Sequence, residues 1–239
     1  LSTSSLYYGA LNLAVDLTRS LEKEEAQINR YQQQAKHLKA AIESYFGATV
    51  EGLNTYKYYK EHEYLRHWIC LPLVVGIFDR KEATTEALFE RLWSENGVHV
   101  EKNSDNEAIS KIFWDRGTLY ALRGTFLAGA TEQSLEKLIS YSEERLIGDR
   151  VPFPVEAYPE GAMAHLSAES GLYCRIFTEG LFGIVPTGFN SFQCIRLQKQ
   201  LDEEDYKLLY KSLRDKKFTM NRTHNTRERQ IYRLLISGN

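Results

Sequence analysis

The sequence of 239 residues lacks several features that would define its class directly. It has no uninterrupted apolar run of the roughly 18 residues that a membrane-spanning helix requires, so no membrane insertion is expected. Its net charge of −2 is too small to attract it to nucleic acid or to a membrane surface. What remains is a globular protein of ordinary composition, with 43% hydrophobic and 26% charged residues.

Cysteine is scarce, and the three that occur, Cys70, Cys174 and Cys194, are widely spaced. No CxxC pair and no Cys/His ligand spacing is present, so neither a zinc site nor a disulfide framework is predicted. No motif in the sequence calls for a cofactor. Cys70 and Cys174 fall within apolar helical patterns, which predicts that both thiols are buried.

Aromatic residues, in contrast, are plentiful. Fifteen tyrosines and three tryptophans contribute to an aromatic content of 12%, and many of them adjoin charged residues rather than apolar runs. Most such rings are packing residues, but rings beside polar groups also form stacking surfaces for sugars or bases. The sequence therefore directs attention to places where aromatic and acidic residues occur together.

Apolar spacing predicts a series of helical hairpins. Leu6, Ala10, Leu13 and Leu17 recur at helical intervals, and a second helix follows and ends before Gly47. Five further helices are predicted, the fourth with Thr131 as its N-cap: 65–78, 84–92, 117–128, 131–146 and 167–181. No regular strand is expected before residue 195. The predicted fold class is all-α.

The tail, residues 196–239, has a different pattern. A helix is predicted over 202–213, and the runs KKFTMN and RQIYRLLIS have the composition of a β-hairpin, which makes a short α/β tail. The basic stretch 207–233 lacks the interleaved aromatic and basic residues of nucleic-acid modules. It is interpreted as solvated surface, and no nucleic-acid partner is predicted.

The long loops of the predicted array are 47–63, 93–116 and 147–166, and each joins the second helix of one hairpin to the first helix of the next. Loops in equivalent positions emerge on one side, so the three are expected to share a face. Aromatic residues and carboxylates on one face are what a carbohydrate cleft requires. The plain alternative is that loops are polar in any case.

Several runs resemble a known family. FWDRGTLYALRGTFLAGATE, VPFPVEAYPEG and HLSAESGLYCRIFTEGLFGIVPTGFNSF, with YLRHWICLPLVVGIFD before them, look like the C-terminal half of a six-hairpin (α/α)6 glycoside hydrolase. The type is the bacterial one related to glucoamylase, α-L-rhamnosidase and processing α-glucosidase domains. The resemblance implies that residues 1–195 are the C-terminal portion of an α/α-toroid catalytic domain with a carbohydrate substrate. A bacterial glycan-degrading enzyme of this type would be periplasmic or on the cell surface.

The resemblance also implies catalytic residues, which fall in or near the acidic stretch VEAYPEGAMAHLSAE. Glu156 matches the general base of the family, which lies in a Glu-x-Tyr-type loop before the last inner helix. Glu160 is the alternative, and Asp115 is a third candidate. Two plainer interpretations stand beside these: Asp115 forms an ion pair with Arg116 or Arg123, and Glu169 is a helix-start acid that favours the helix dipole.

Substrate contacts are predicted for residues of all three long loops. They are Trp114, Arg116, Tyr158, His165, Glu61 and Trp93. His165 has an alternative as a cap of the following helix. No metal site is predicted.

This sequence departs from the family in ways that shape the functional prediction. The Trp/Asp-rich segment that carries the family's general acid is not present, and too few helices are predicted for a twelve-helix ring. The chain is therefore expected to need a missing N-terminal portion of the same protein or to self-associate through its open edge. The function predicted is glycoside hydrolysis by two carboxylates, with inversion. The alternatives are a carbohydrate-binding relative without hydrolysis and a helical scaffold for a protein partner.

Overall fold

The computed structural model describes residues 1–147, 153–156, 167–188 and 191–194, and more than half of these residues are helical. None of the helices in these ranges is long and apolar enough to cross a membrane. Contacts divide the chain into two compact units, Leu1–Gly180 and Leu181–Asn239. The tail predicted for residues 196–239 lies outside the described residues, so its helix, its hairpin and the boundary at 195 stay predictions.

The first two helices form the predicted hairpin. Helix α1 spans Ser2–Ser20 and α2 spans Glu25–Phe46, with Gly47 immediately after its end. The two helices pack against each other through a short connection. The face of α1 that packs carries Ser5, Leu11, Val15 and Thr18. The stripe that predicted the helix is instead exposed, because α1 is apolar on two sides.

The centre of the first unit is a short buried segment. A 3-10 turn, His67–Ile69, leads into α3, Cys70–Val74, and all five residues of α3 are buried. Pro72 falls in the first turn of α3, where a missing N–H is tolerated. The long helix predicted over 65–78 is thus replaced by a shorter one, which packs against α6, Asp115–Leu127.

Three of the remaining helices match predicted ones and continue as π-helical turns, whereas the short helix at 107–110 was not predicted and lies within the segment 93–116 that was expected to be a loop. Their bounds are α4, Lys81–Glu86, with Ala87–Leu92; α5, Glu107–Ser110; α7, Thr131–Ser140, with Tyr141–Ile147; and α8, Ser167–Arg175, with Ile176–Leu181. Thr131 is the first helical residue rather than the N-cap. That position belongs to Ala130, which has no side-chain cap hydrogen bond.

The prediction of no strand before residue 195 is wrong. Three antiparallel two-stranded ribbons are present: β1, Gly47–Val50, with β2, Leu53–Tyr56; β3, Trp93–Ser94, with β4, Gly97–Val98; and β5, Ile184–Gly188, with β6, Ser191–Cys194. Glu51 and Gly52 form the first turn with φ of +49° and +85°. Two successive positive φ angles match the twist of a β-hairpin, which closes this ribbon in a segment predicted to be a loop.

The helices of the first unit form a row. Helix α1 packs between α2 and α3, α3 packs on α6, and α6 packs on α7 and α8. The first helices of successive hairpins are therefore neighbours. Among these first helices, α1, α3, α6 and α8, α1 is at one end.

Cys70 and Cys174 differ in environment. Cys70 is buried in α3 as predicted, and burial raises the pKa of its thiol far above the usual value. Cys174 is exposed on α8, so the prediction of a buried thiol at that position is wrong. The apolar pattern around Cys174 does not place it on the packed side of the helix.

Two glycines provide a test of how tightly α6 packs. A Cβ atom at Gly117 would lie 2.5 Å from Cδ2 of His67, whereas at Gly171 in α8 it would meet nothing within 4 Å. We expect Gly117→Ala to lower the free energy of unfolding by about 1–3 kcal/mol through overpacking. Gly171→Ala should be neutral or stabilising by up to about 1 kcal/mol, because alanine favours the helix. Urea unfolding of both variants measures the difference, and equal effects would contradict the close packing.

Candidate functional site

Hydrogen bonds link the three long loops. Nε2 of His62 lies 2.9 Å from Oε2 of Glu101, which joins the first loop to the second. The backbone N–H of Val155 donates to Oδ2 of Asp115 at 2.6 Å, which joins the third loop to the start of α6. The loops therefore adjoin one another, as their position in the hairpins predicts.

Three half-buried rings form what we call the aromatic surface: Trp68, Trp114 and Tyr120. The ring centroids of Trp68 and Trp114 are 6.0 Å apart, and those of Trp68 and Tyr120 are 6.2 Å apart, in edge-to-face arrangements. Trp68 comes from the turn before α3, and Trp114 is the N-cap residue of α6. The start of α3 and the first turns of α6 thus supply the rings together.

His67 supports the aromatic surface from within the core. Its ring centroid lies 4.2 Å from that of Trp68 and 5.5 Å from that of Trp114. Nδ1 of His67 is 3.1 Å from the carbonyl oxygen of Val100. Burial lowers the pKa of His67 to about 3, against the opposing effect of the Val100 carbonyl. The imidazole is therefore neutral at physiological pH and donates through Nδ1.

Arg116 borders the aromatic surface, one helical turn from Tyr120. Its Nε donates to Oε1 of Glu169 at 2.5 Å, and the Arg116 side chain is 39% exposed while that of Glu169 is 1% exposed. The second oxygen of Glu169, Oε2, is buried and has no hydrogen-bond partner in the described structure. Glu169 thus fixes the orientation of a half-exposed guanidinium, which is more than a helix-start acid does.

A second ion cluster joins the same two helices. Nε of Arg123 donates to Oε2 of Glu179 at 2.8 Å, and Nη2 of Arg175 donates to that oxygen at 3.0 Å. Arg123 on α6 is therefore engaged with the chain that continues α8. With the pair formed by Arg116, this cluster holds α8 against α6 at two levels.

Asp115 lies beneath the site, fully buried. Its Oδ2 accepts from Nη2 of Arg145 at 2.9 Å and from the N–H of Val155. Burial raises the pKa of Asp115, and the Arg145 charge and the Val155 N–H act in the opposite direction. Asp115 does form an ion pair, as one interpretation of the sequence predicted, but its partner is Arg145 rather than Arg116 or Arg123. A carboxylate with no exposed surface positions other residues and does not meet a substrate in this structure.

Glu156 follows directly after Val155 and is exposed. The hydrogen bond from Val155 to Asp115 fixes the backbone one residue before it. The predicted general base is therefore a solvent-accessible carboxylate at the end of a segment anchored to α6. Tyr158, Glu160 and His165, which belong to the same stretch of sequence, lie outside the described residues.

Trp93 and Glu61 differ in their surroundings. Trp93 is 9% exposed, its ring packs 5.8 Å from that of Phe89, and Nζ of Lys137 lies over it at 5.8 Å. It is a core residue with no ring face open to a sugar, so its prediction as a substrate contact is not supported. Glu61 is exposed, beside His62.

The sequence analysis missed two residues of the aromatic surface, Trp68 and Tyr120. Trp68 stands in the run YLRHWICLPL, which was assigned to a helix interior, and it follows the first long loop by a few residues. Tyr120 falls at helical spacing from Arg116, and that spacing is the signal that places both on one face of α6. Aromatic residues at the starts of helices, as well as those in loops, therefore contribute to this surface.

A cleft of about 460 Å³ lies elsewhere, between α4 with its π-helical continuation and the turn from α6 to α7. Its walls carry Glu82, Glu86 and Glu90 on one side and Gly129 with its neighbours on the other. None of the predicted site residues lines it.

Among the described residues, no group of three or more His, Cys, Asp and Glu side chains is arranged to hold a metal ion. Comparison of the sequence with protein-family models and with curated proteins finds no match.

The buried imidazole gives a pH test. An unfolded histidine has a pKa near 6.5, whereas folded His67 has one of about 3. Between these values the unfolded chain binds a proton that the folded chain does not, so stability falls as the pH falls. The shift corresponds to about 5 kcal/mol across the window. We expect His67→Gln, which keeps a donor for Val100, to remove this contribution.

The measurement is urea unfolding at several pH values from 4 to 7. His37→Gln, at an exposed position on α2, is the matched control and should keep the wild-type slope. An unchanged slope in His67→Gln would contradict a neutral buried imidazole.

Proposed function

We propose that this protein is a glycoside hydrolase, or part of one, and that the aromatic surface with Glu156 beside it is where it binds carbohydrate. The observation that carries the proposal is the half-buried set of rings, Trp68, Trp114 and Tyr120, together with the anchoring of the segment before Glu156 to Asp115, the residue that follows Trp114. Half-buried aromatic side chains present an apolar face with polar groups around it, which suits the C–H faces and hydroxyls of a sugar.

The finer fold we propose is the six-hairpin α/α toroid. The adjacency of α1, α3, α6 and α8 supports it, because in such a ring the first helices of successive hairpins form the inner layer. The resemblance of the runs 64–79, 113–132 and 165–192 to that family supports it independently.

In the proposed reaction Glu156 is the general base. Its carboxylate takes a proton from a water molecule, which attacks the anomeric carbon, and a carboxylic acid on the opposite side protonates the leaving oxygen. Inversion requires the two carboxyl groups to be about 6.5–9.5 Å apart, which leaves room for the water. Exposure of Glu156 gives it access to this water. Asp115 is a positioning residue in this reaction, because its carboxylate fixes the backbone of Val155, the residue before Glu156.

A specific observation favours a second function, carbohydrate binding without hydrolysis. Asp115, which follows Trp114 in the chain, and Glu169, which is bound to Arg116, are both buried and engaged with arginines. Neither is placed to act as the exposed acid that inversion needs. If no other residue supplies the acid, the site binds glycans and does not cleave them.

Glu156→Gln distinguishes the two functions. The amide keeps the size of the side chain but cannot accept the proton of the water, so we expect turnover of aryl glycosides to fall by about 10²–10⁴-fold. Affinity for oligosaccharides, measured by calorimetry, should change less than about threefold. Glu136→Gln, an exposed glutamate on α7, is the matched control and should retain full activity.

Turnover that survives Glu156→Gln would contradict the assignment of the base. Oligosaccharide binding by a wild-type chain that shows no turnover would favour the binding function.

The aromatic surface has its own test. We expect Trp68→Ala to weaken oligosaccharide binding at least tenfold, about 1.4 kcal/mol, because the sugar loses a stacking face. Tyr45→Ala, which removes an exposed ring from α2, should leave affinity unchanged. Circular dichroism verifies that both variants are folded, and equal affinities for wild type and Trp68→Ala would contradict the proposed surface.

A further inference from the structure

Helix α1 has an apolar face that no other described element covers. Leu6, Leu13, Leu17 and Leu21 are 47–66% exposed, and the exposed Ala10 lies between them. These residues recur every three or four positions, so they form one stripe, which we call the α1 stripe. The opposite face of the helix packs on α2 and α3.

The α1 stripe is large for a surface exposed to water. With Tyr7, which is 56% exposed at its edge, it amounts to roughly 500 Å² of apolar area, near the upper end of what monomers leave uncovered. The first 15 residues of the chain carry no charged side chain, so no side-chain charge in this half of the helix opposes burial against an apolar partner.

We propose that a second copy of this chain covers the α1 stripe, with the two α1 helices antiparallel about a two-fold axis. The spacing of the stripe is self-complementary. In an antiparallel pair centred between residues 13 and 14, Leu6 faces Leu21 of the second copy, and Ala10 faces Leu17 of the second copy. A two-fold contact requires this reciprocity, in which residue i meets j and j meets i.

Charge selects the antiparallel direction. The charged side chains of α1, Asp16 and Arg19, both lie in its C-terminal third. An antiparallel pair places them opposite the uncharged N-terminal half of the second copy. A parallel pair would place Asp16 opposite Asp16 and Arg19 opposite Arg19, and like charges across an interface oppose association.

The area also fits a dimer. A stable interface of standard size buries about 800 Å² per partner, and roughly 65% of a homodimer interface is apolar. The apolar share is then on the order of 500 Å² per partner, which the α1 stripe with Tyr7 supplies. The polar residues that flank the stripe provide the remainder.

The oligomeric state is the first test. Sedimentation equilibrium of the whole chain over a range of concentrations should show a dimer. In the double variant Leu13→Glu, Leu17→Glu the dissociation constant of this dimer should rise at least 100-fold, so that the variant sediments as a monomer. Both leucines are more than half exposed, so the fold should survive. The matched control adds the same charge to α2, at the exposed Gln33 and Ala40, and should remain a dimer.

Cysteine crosslinking tests the direction. In a chain with Cys174 and Cys194 replaced by serine, Leu13→Cys should form a disulfide-linked dimer under mild oxidation, since position 13 lies beside the axis. Leu6→Cys and Leu21→Cys should each fail to crosslink alone and should crosslink when mixed. A wild-type monomer at all concentrations, a dimer that survives Leu13→Glu, Leu17→Glu, or self-crosslinking of Leu6→Cys would each overturn the proposal. Because these readouts need no sugar, they are independent of the proposed hydrolase.

Discussion

The carboxylate of Asp115 is a charge in the interior of the protein, and much of the first unit is arranged around it. A buried charge is tolerated only when it is paired and hydrogen-bonded, and Asp115 obtains its partners from distant parts of the chain. Arg145 comes from the π-helical end of α7, and the N–H of Val155 comes from the loop that follows. One side chain at the start of α6 thus fixes two other segments, and its neighbours Trp114 and Arg116 are held in place with it.

The residues proposed to bind a ligand lie at the surface, and most of them pack on buried side chains. Trp68 and Trp114 rest on the neutral ring of His67, Tyr120 packs against Trp68, and Arg116 is oriented by the buried Glu169. Trp68, Trp114 and Arg116, which reach solvent, are therefore each supported by a buried side chain. Such support keeps rings and donors in one arrangement before a ligand arrives, so less conformational entropy is lost on binding.

Sequence periodicity was sufficient to locate most helices and insufficient to orient them. The predicted end of α2 and the predicted bounds of α6 and α8 are close to those observed, since each helix has one apolar face and a clear end. The position of helix α1 was predicted correctly, but the wrong face was predicted to pack. The helix carries apolar residues on two sides, and spacing alone does not tell which side packs. The hairpin at Glu51 was missed because glutamate seldom adopts a positive φ.

The candidate site, like the helices, was predictable only where local sequence carries the signal. Composition indicated that aromatic and acidic residues meet on the loop face, and the resemblance pointed to Glu156. The partnership of Asp115 with Arg145 joins residues 30 positions apart in the chain, and no local pattern reports a contact of that kind. Trp68 was overlooked since its neighbours are apolar, although its position at the start of α3 leaves the ring half-buried.

The glycines that surround α3 bear on how the protein folds. Gly9 of α1 lies against Val75, and Gly124 of α6 lies against Leu73 and the carbonyl oxygen of Cys70, at distances where a Cβ atom would meet them at 3.1 Å or less. This short helix is thus seated between two helices whose contacting glycines, Gly9 and Gly124, are 115 positions apart in sequence. Five residues are too few to form a stable helix alone. The segment therefore acquires its structure only after distant parts of the chain have come together, which makes folding slow and strongly cooperative. Its amide protons should exchange with solvent only when the whole unit opens.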